Sequence, residues 1–241
     1  MGNKADPIWA IVPASGLGAR MQGAVPKQYL QLCGKSILEH TLDRLLSFKQ
    51  IDGVVLVLRE EDQIWQTLNY QFRKPLITAT GGEERQHSVF SGLLKLLEFE
   101  TADPLVMVHD AVRPLVSHQD LQQLIKSAKQ NPAGAILGVP VSDTLKRQDD
   151  HTNVAETVER SGLWRAFTPQ LFRAKLLLKA FEYVSKYNLP ITDDAAAIEA
   201  LGMRPALVEC SAQNIKITHP QDLELATQIM LQQQVEDDLS I

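Results

Sequence analysis

Ile8-Trp9-Ala10-Ile11-Val12-Pro13-Ala14-Ser15-Gly16-Leu17-Gly18-Ala19-Arg20-Met21 is the stretch on which the reading of this chain turns. Ile8–Ala14 is continuously apolar, which predicts a strand buried on both faces of a sheet. Gly16 and Gly18 follow it directly. Glycines there let the backbone approach a phosphate, and consecutive N–H groups make an anion-binding nest. Two familiar nucleotide signatures fail. A dinucleotide site wants GxGxxG, and Met21 stands at the third glycine position; a P-loop wants a GK[ST] triplet, and none follows Gly18. What remains is a glycine loop with two cations, Arg20 and the Lys27 of Pro26-Lys27-Gln28-Tyr29. That set suits a triphosphate or a pyrophosphate leaving group. Taken singly, the glycines also fit a plain tight turn and the cations a solvated surface.

Outward from this stretch, apolar runs alternate with amphipathic ones. Strands are predicted at Val54–Leu58, Leu76–Thr80, Leu105–Val108, Ala133–Val139 and Pro205–Glu209. Helices are predicted at Ser36–Phe48, with Ser36 as N-cap, and at Glu61–Phe72, Glu84–Leu97, Gln119–Lys129, Arg173–Tyr187, Asp193–Leu201 and Gln221–Gln232. The rhythm implies an α/β fold with a mainly parallel, doubly wound sheet covered on both faces. Ligands in such sheets sit beyond the carboxyl ends of the strands. The rhythm breaks at Val141. Ser142–Ser161 is polar and has no helical face, and Thr144–Arg147 can pair with Asn153–Glu159 as a hairpin. It reads either as a surface loop or as an arm reaching a partner subunit.

The chain has 241 residues, 44% apolar and 22% charged, with a formal net charge of −5. That length supports one domain with a substantial core. The acidic balance argues against nucleic acid or an anionic membrane as the main partner. Cys33 and Cys210 are too few for a disulfide framework or a zinc site, and no CxxC occurs. The first residues carry no apolar signal region, Asp6 spoils the myristoylation pattern, and no apolar run approaches a membrane span. A cytoplasmic protein is expected.

Four further motifs are candidates for chemistry. Gly81-Gly82-Glu83-Glu84-Arg85-Gln86-His87-Ser88 follows a strand, and its paired glycines allow close approach to a base edge or simply a turn into a helix. Asp110, in His109-Asp110-Ala111-Val112-Arg113-Pro114, lies just past the end of an apolar strand. There it can orient Mg²⁺ or a ribose hydroxyl, or pair internally with Arg113. Thr192 or Asp193 caps the helix that follows. Lys216 sits between Ile215 and Ile217 in an expected short strand, either as an edge lysine or as a site cation.

Taken together, PASGLGARM, PKQY, GGEERQHSV, VHDAVRP, PVSDTLKR, VERSGLWRAFTPQ, ITDDAAA and NIKIT, in this order from about Ile8 to Leu231, resemble the 2-C-methyl-D-erythritol 4-phosphate cytidylyltransferases of the non-mevalonate isoprenoid pathway. The resemblance implies a nucleotidyltransferase-type sheet forming a single domain over 1–241, with 142–161 as a dimerisation arm of a homodimer. It implies that Arg20 and Lys27 stabilise the transition state and that Arg160 and Lys216 position the sugar phosphate. Ala14, Ser15, Gly82, Glu83 and Ser88 would hold the cytosine, with Gly16 and Asp110 near the ribose and triphosphate. Asp110, Arg113, Thr144, Thr168 and Thr192 would contact the methylerythritol phosphate. The family often has alanine at Ser15 and Val112 and aspartate at Glu83, which leaves the side-chain role of Glu83 open.

The implied reaction is attack of a substrate phosphate oxygen on the α-phosphorus of CTP, with pyrophosphate leaving and no covalent enzyme intermediate. A phosphomonoester with a second pKa near about 6 is largely dianionic at neutral pH and needs no general base. The chain accordingly shows no Ser-His-Asp or paired-carboxylate set. Mg²⁺ is expected, held mainly by the CTP phosphates without a protein cage. Two rivals stand beside this reading: a cytidylyltransferase for another polyol phosphate such as ribitol 5-phosphate, and a non-catalytic nucleotide-binding regulator. The acceptor set and the presence of both Lys27 and Lys216 weigh against them.

Overall fold

The apolar run after Pro7 forms β1 (Ile8–Pro13), and its side chains alternate between two buried layers. The computed structural model describes residues 6–16, 25–100 and 102–238, with side chains as far as 233. β1 lies between β4 (Gly53–Leu58) and β6 (Leu105–Val108), parallel to both, and β5 (Leu76–Thr80) continues the sheet beyond β4. On the other side come β10 (Trp164–Arg173), β7 (Ala135–Pro140) and β11 (Ala206–Glu209). The seven-stranded order is β11-β7-β10-β6-β1-β4-β5.

Helices cover both faces because the parallel central strands β1, β4 and β6 are apolar on both. Ala10, Leu56 and Met107 pack under α1 (Ile37–Ser47) and α4 (His118–Gln130) through Leu42, Leu45 and Leu124. Ile11, Val55 and Val106 pack on the opposite face under α3 (Arg85–Phe99), α5 (Ala174–Tyr187) and α6 (Asp194–Ala200), through Val89, Leu93, Leu177 and Ile198. Each of these Val, Leu, Ile and Met side chains contributes about 1.5–3 kcal/mol on burial. Gly92 lets α3 approach closely, since a Cβ there would meet Val57 Cγ2 at 2.7 Å and Ile11 Cγ2 at 2.9 Å. Ser36 caps α1 as a capping box, accepting from the Glu39 amide while Glu39 accepts from the Ser36 amide.

The structure departs from expectation in three places. The largest is β10, which the sequence does not announce. It is antiparallel to both neighbours and sits inside the sheet. Pro169 argues against a central strand because it lacks a donor. The register shifts between Ala166 and Gln170, and that irregularity accommodates it. Secondly, the helix expected over 61–72 is only α2 (Gln63–Leu68), because Asn69 adopts a left-handed conformation with φ 47° and ends it. Thirdly, the Asn214–Thr218 segment is neither strand nor helix. It is held by the Ile217 amide donating to the Val112 carbonyl at 3.0 Å.

A small hairpin, β2 (Gln31–Leu32) and β3 (Lys35–Ser36), precedes α1. The final helix, α7 (Pro220–Asp238), contributes Ala226 and Met230 to a third cluster with Leu32 and Val112. The expected hairpin is present as β8 (Leu145–Gln148) and β9 (Val154–Val158), a two-stranded sheet separate from the central one. Arg147 Nε donates to Glu156 Oε1 across it at 2.5 Å, and Val154 is 61% exposed.

Candidate active site

At the carboxyl ends of β1 and β6 a cavity of ≈ 220 Å³ is bounded by Ala14, Ser15, Gly16, Lys27, Glu83, Arg85, Asp110 and Lys216, among others. The wall on the β1 side is built by hydrogen bonds between loops. Gln28 Nε2 donates to the Ala14 carbonyl at 2.7 Å, which ties the short 3-10 turn Lys27–Tyr29 to the glycine loop. Tyr29 anchors that turn from below, its hydroxyl donating to Asp62 Oδ2 at 2.7 Å. Lys27 is thereby set beside Ala14–Gly16. Across the gap, Ser88 Oγ lies 2.8 Å from Ser15 Oγ and accepts from the Gly82 amide at 3.2 Å. The glycines allow this closeness, because a Cβ on Gly81 would meet Ser15 Cβ at 2.6 Å and one on Gly82 would meet His87 Cβ at 2.5 Å.

Asp110 is the electrostatic centre of the other wall. Its Oδ1 accepts from Arg85 Nε at 3.0 Å, and its Oδ2 faces Lys216 Nζ at 3.0 Å and Arg113 Nε at 3.3 Å. Burial alone would raise the Asp110 carboxyl, but the charges of Arg85, Lys216 and Arg113 overcome it and hold the group well below the ordinary carboxylate range. The Asp110 amide donates to Thr168 Oγ1 at 3.0 Å. His109 Nε2 lies 2.9 Å from the Arg113 carbonyl, which only accepts, so Nε2 carries the proton. Burial pushes the imidazole down to about 4, so the ring is neutral and Nδ1 accepts from the Thr168 hydroxyl at 3.1 Å. Arg113 donates to the Asn214 carbonyl at 2.7 Å, and Asn214 Nδ2 to the Thr168 carbonyl at 2.8 Å. These bonds fix the segment that carries Lys216.

A family model described as 2-C-methyl-D-erythritol 4-phosphate cytidylyltransferase matches residues 8–232. The chain belongs to this family. An enzyme of that name from Hahella chejuensis is 46% identical over 219 residues, covering 91% of each chain. One from Xylella fastidiosa is 44% identical over 90% of this chain and 94% of its own. Among solved structures, a 4-diphosphocytidyl-2C-methyl-D-erythritol synthase superposes with a TM-score of 0.82 at 36% identity, covering 94% of this chain and all 100% of that one. The Francisella tularensis 2-C-methyl-D-erythritol 4-phosphate cytidylyltransferase gives 0.79 at 36% identity, over 91% of this chain and 98% of its own. The chain is therefore a nucleotidyltransferase, acting with CTP on 2-C-methyl-D-erythritol 4-phosphate in isoprenoid synthesis.

For a cytidylyltransferase the placement of the expected site residues is informative. Ala14, Ser15, Gly16, Lys27, Glu83, Asp110 and Lys216 come together at one cavity. Gly82 and Ser88 join it through the Ser15 contact, and Arg113 and Thr168 through Asp110. Thr192 borders an adjoining cleft with Arg85 and Asp194, while Asp193, not Thr192, caps α6. Thr144 and Arg160 are exposed at the base of the hairpin and are not among the residues bounding the cavity, and Arg160 donates to the Ser142 carbonyl. Arg20 lies outside the described residues.

Several contributors were not picked out from sequence. Arg85 stands inside a quoted motif, but its partners are distant in sequence. Gln170 reads as an ordinary polar residue, yet it is buried in β10, donating to Asp193 Oδ2 at 2.8 Å and accepting from the Ala195 amide at 2.9 Å. Asn214 and His109 gave no signal beyond their neighbours in the Lys216 and Asp110 motifs. Among the described residues, no group of three or more His, Cys, Asp or Glu side chains is placed to hold a metal, and no helix is long and apolar enough to cross a membrane.

Proposed function

We propose that the cavity at Asp110 is where cytidylyl transfer occurs, by direct in-line attack of the acceptor phosphate on the α-phosphorus of CTP. The observation that carries this is the convergence of Lys216, Arg85 and Arg113 on one ionised buried carboxylate, in a cavity whose wall also holds Lys27 beside the glycine loop. Two anions must approach each other in this reaction, and charge grows around the α-phosphate. Fixed cations in a partly desolvated cleft address both. Lys27, with Arg20, stabilises the transferring phosphate. Lys216 and Arg160 hold the acceptor phosphate. Arg113, Thr144, Thr168 and Thr192 complete the acceptor side. Ala14, Ser15, Gly82, Glu83 and Ser88 seat the cytosine, with Gly16 and Asp110 near the ribose and triphosphate. Asp110 also orders the cations by accepting from three of them.

The donor set suits Mg²⁺ carried by the nucleotide. Asp110 is a hard anionic oxygen ligand kept deprotonated, but cations occupy both its oxygens, so it adds little to what a triphosphate supplies. When bound, Mg²⁺ neutralises phosphate charge; the side chains of this chain do the positioning. We further propose a cytoplasmic homodimer, with the β8–β9 arm against the neighbouring subunit. Its separate, exposed hairpin and the exposed Arg160 at its base support that arrangement. The test is pyrophosphate release from CTP, with and without 2-C-methyl-D-erythritol 4-phosphate. Release only with that acceptor is expected, and equal release with ribitol 5-phosphate would overturn the acceptor assignment.

A further inference from the structure

Arg85 divides its guanidinium between two buried carboxylates. Nε donates to Asp110 Oδ1 at 3.0 Å, while the two terminal nitrogens donate to Asp194 Oδ1 and Oδ2 at 3.1 and 2.9 Å. The Asp194 side chain is only 1% exposed, and the wall of the Asp110 cavity includes Arg85 but not Asp194. Arg85 opens α3 directly after Gly81–Glu84, Asp110 lies two residues past the end of β6, and Asp194 opens α6 after Thr192. One side chain thus joins the nucleotide-side loop, the central carboxylate and the acceptor-side loop.

The geometry has a consequence for Lys216. A carboxylate rotates about a single bond, so fixing Oδ1 on Arg85 fixes the direction in which Oδ2 points. Oδ2 is the atom that Lys216 meets at 3.0 Å. Lys216 lies on a segment with neither strand nor helix, whose backbone is tied down at Asn214 and Ile217, so what its side-chain contact sets is the direction of the ammonium. Only a guanidinium fork spans Asp194 with two parallel bonds while presenting a third donor to Asp110. We propose that Arg85, clamped by Asp194, is a positioning residue for the transfer step: it sets the rotation of the Asp110 carboxylate and, through it, the place of the Lys216 ammonium. This rests on the reading of Lys216 given above. The simpler alternative is that Arg85 only neutralises the buried Asp194, and the two differ in what paired substitutions do.

The experiment is a kinetic cycle over Arg85→Lys, Lys216→Ala and the double variant, with thermal unfolding followed for each. Arg85→Lys is expected to lower kcat about 10- to 100-fold, as a misplaced reacting group does. The KM for the acceptor phosphate rises, and the KM for CTP stays within about threefold. In the Lys216→Ala background the same substitution costs less than about threefold more, because its route of action is gone. Losses that multiply in a folded double variant overturn the proposal. If Arg85→Lys does not fold, Arg85→Gln with Asp194→Asn replaces it, removing both charges so that Asp194 is not left as a buried unpaired carboxylate. Wild-type kcat in that pair would show neutralisation to be the whole task of Arg85 and would also overturn the proposal. Near-normal turnover by Lys216→Ala alone is a different result: it sinks the site reading on which the inference rests.

Discussion

Lys216 places its ammonium 3.0 Å from Asp110 Oδ2, joining a segment of irregular backbone to the carboxyl end of β6. The lysine is 38% exposed and the carboxylate 8%, so one partner faces the cavity while the other is enclosed. The cation can serve an incoming phosphate; the carboxylate serves to hold cations in place.

That asymmetry separates two substitutions. Lys216→Ala removes one of three cations around Asp110 and is expected to leave stability nearly unchanged. Asp110→Ala strands Arg85, Arg113 and Lys216 around an empty centre, and breaking a buried pair in this way costs about 3–5 kcal/mol. Both are expected to lower turnover by roughly 10²–10³-fold, the range seen on deleting a group that stabilises transition-state charge. Urea unfolding beside steady-state rates checks this. Equal stability of the two variants would contradict the role given to Asp110.

Ser15 and Ser88 differ in what they hold. Ser88 Oγ accepts the Gly82 amide and lies 2.8 Å from Ser15 Oγ, so it links both glycine loops. Ser15→Ala leaves Ser88 on Gly82, whereas Ser88→Ala frees both. With about 0.5–1.5 kcal/mol for a net hydrogen bond to the amide of the exposed Gly82, Ser88→Ala is expected to raise the CTP KM roughly 2- to 10-fold. Ser15→Ala is expected to raise it less than about threefold, consistent with a loop whose backbone does the binding. Steady-state titration of CTP against both variants decides the order.

His109 predicts a pH dependence of stability. Burial brings its folded pKa from 6.5 down to about 4. Between those values the unfolded chain binds the proton and the folded chain does not, so stability is complete above about pH 6.5 and falls as pH drops toward 4. At about 1.4 kcal/mol per unit, the loss over that window is roughly 3 kcal/mol. Asp110, with its pKa depressed, contributes stability present above its unfolded value of 3.8 and lost only below it, so the two windows separate. Urea denaturation at steps from pH 7 to 4.5 should show the decline in the parent and a flatter profile in His109→Asn. Identical slopes would remove His109 from the account.

What was legible in the sequence follows from how local each signal is. Ile8–Pro13 and Leu105–Val108 are apolar in unbroken runs, so their burial on both faces needed no partner to be inferred. Ser36 announces the start of α1 as its N-cap. Ala14–Gly16, Lys27, Asp110 and Lys216 were legible as candidates because strand ends and glycines marked them, and they meet at one cavity. β10 was not legible, since Pro169 and the buried Gln170 read as loop until neighbouring strands and Asp193 supply their partners. Arg85 and Asp194 were missed for the same reason. Charged residues in first helical turns look like dipole and cap residues, and nothing local reveals a pairing between α3 and α6.

The arm yields the most demanding prediction. Among the described residues β8 and β9 pair only with each other, their faces are largely exposed, and Arg160 at their base is not among the residues that bound the cavity of Lys27 in the same chain. If Arg160 serves the neighbouring subunit, two-fold symmetry makes both sites composite. Arg160→Ala alone is then expected to raise the KM for the sugar phosphate and lower turnover, with CTP binding little changed. Lys27→Ala is expected to lower turnover roughly 10²–10³-fold. Unfolding and refolding the two variants together gives mixed dimers, each with one site lacking both residues and one site with both intact. Random pairing makes about half the dimers mixed, so about a quarter of all sites regain activity. The measurement is specific activity of the co-refolded mixture against each variant refolded alone, with the mass of the species followed by gel filtration and light scattering. An active monomer, or no gain on mixing, would show that Arg160 works within its own chain or not at all.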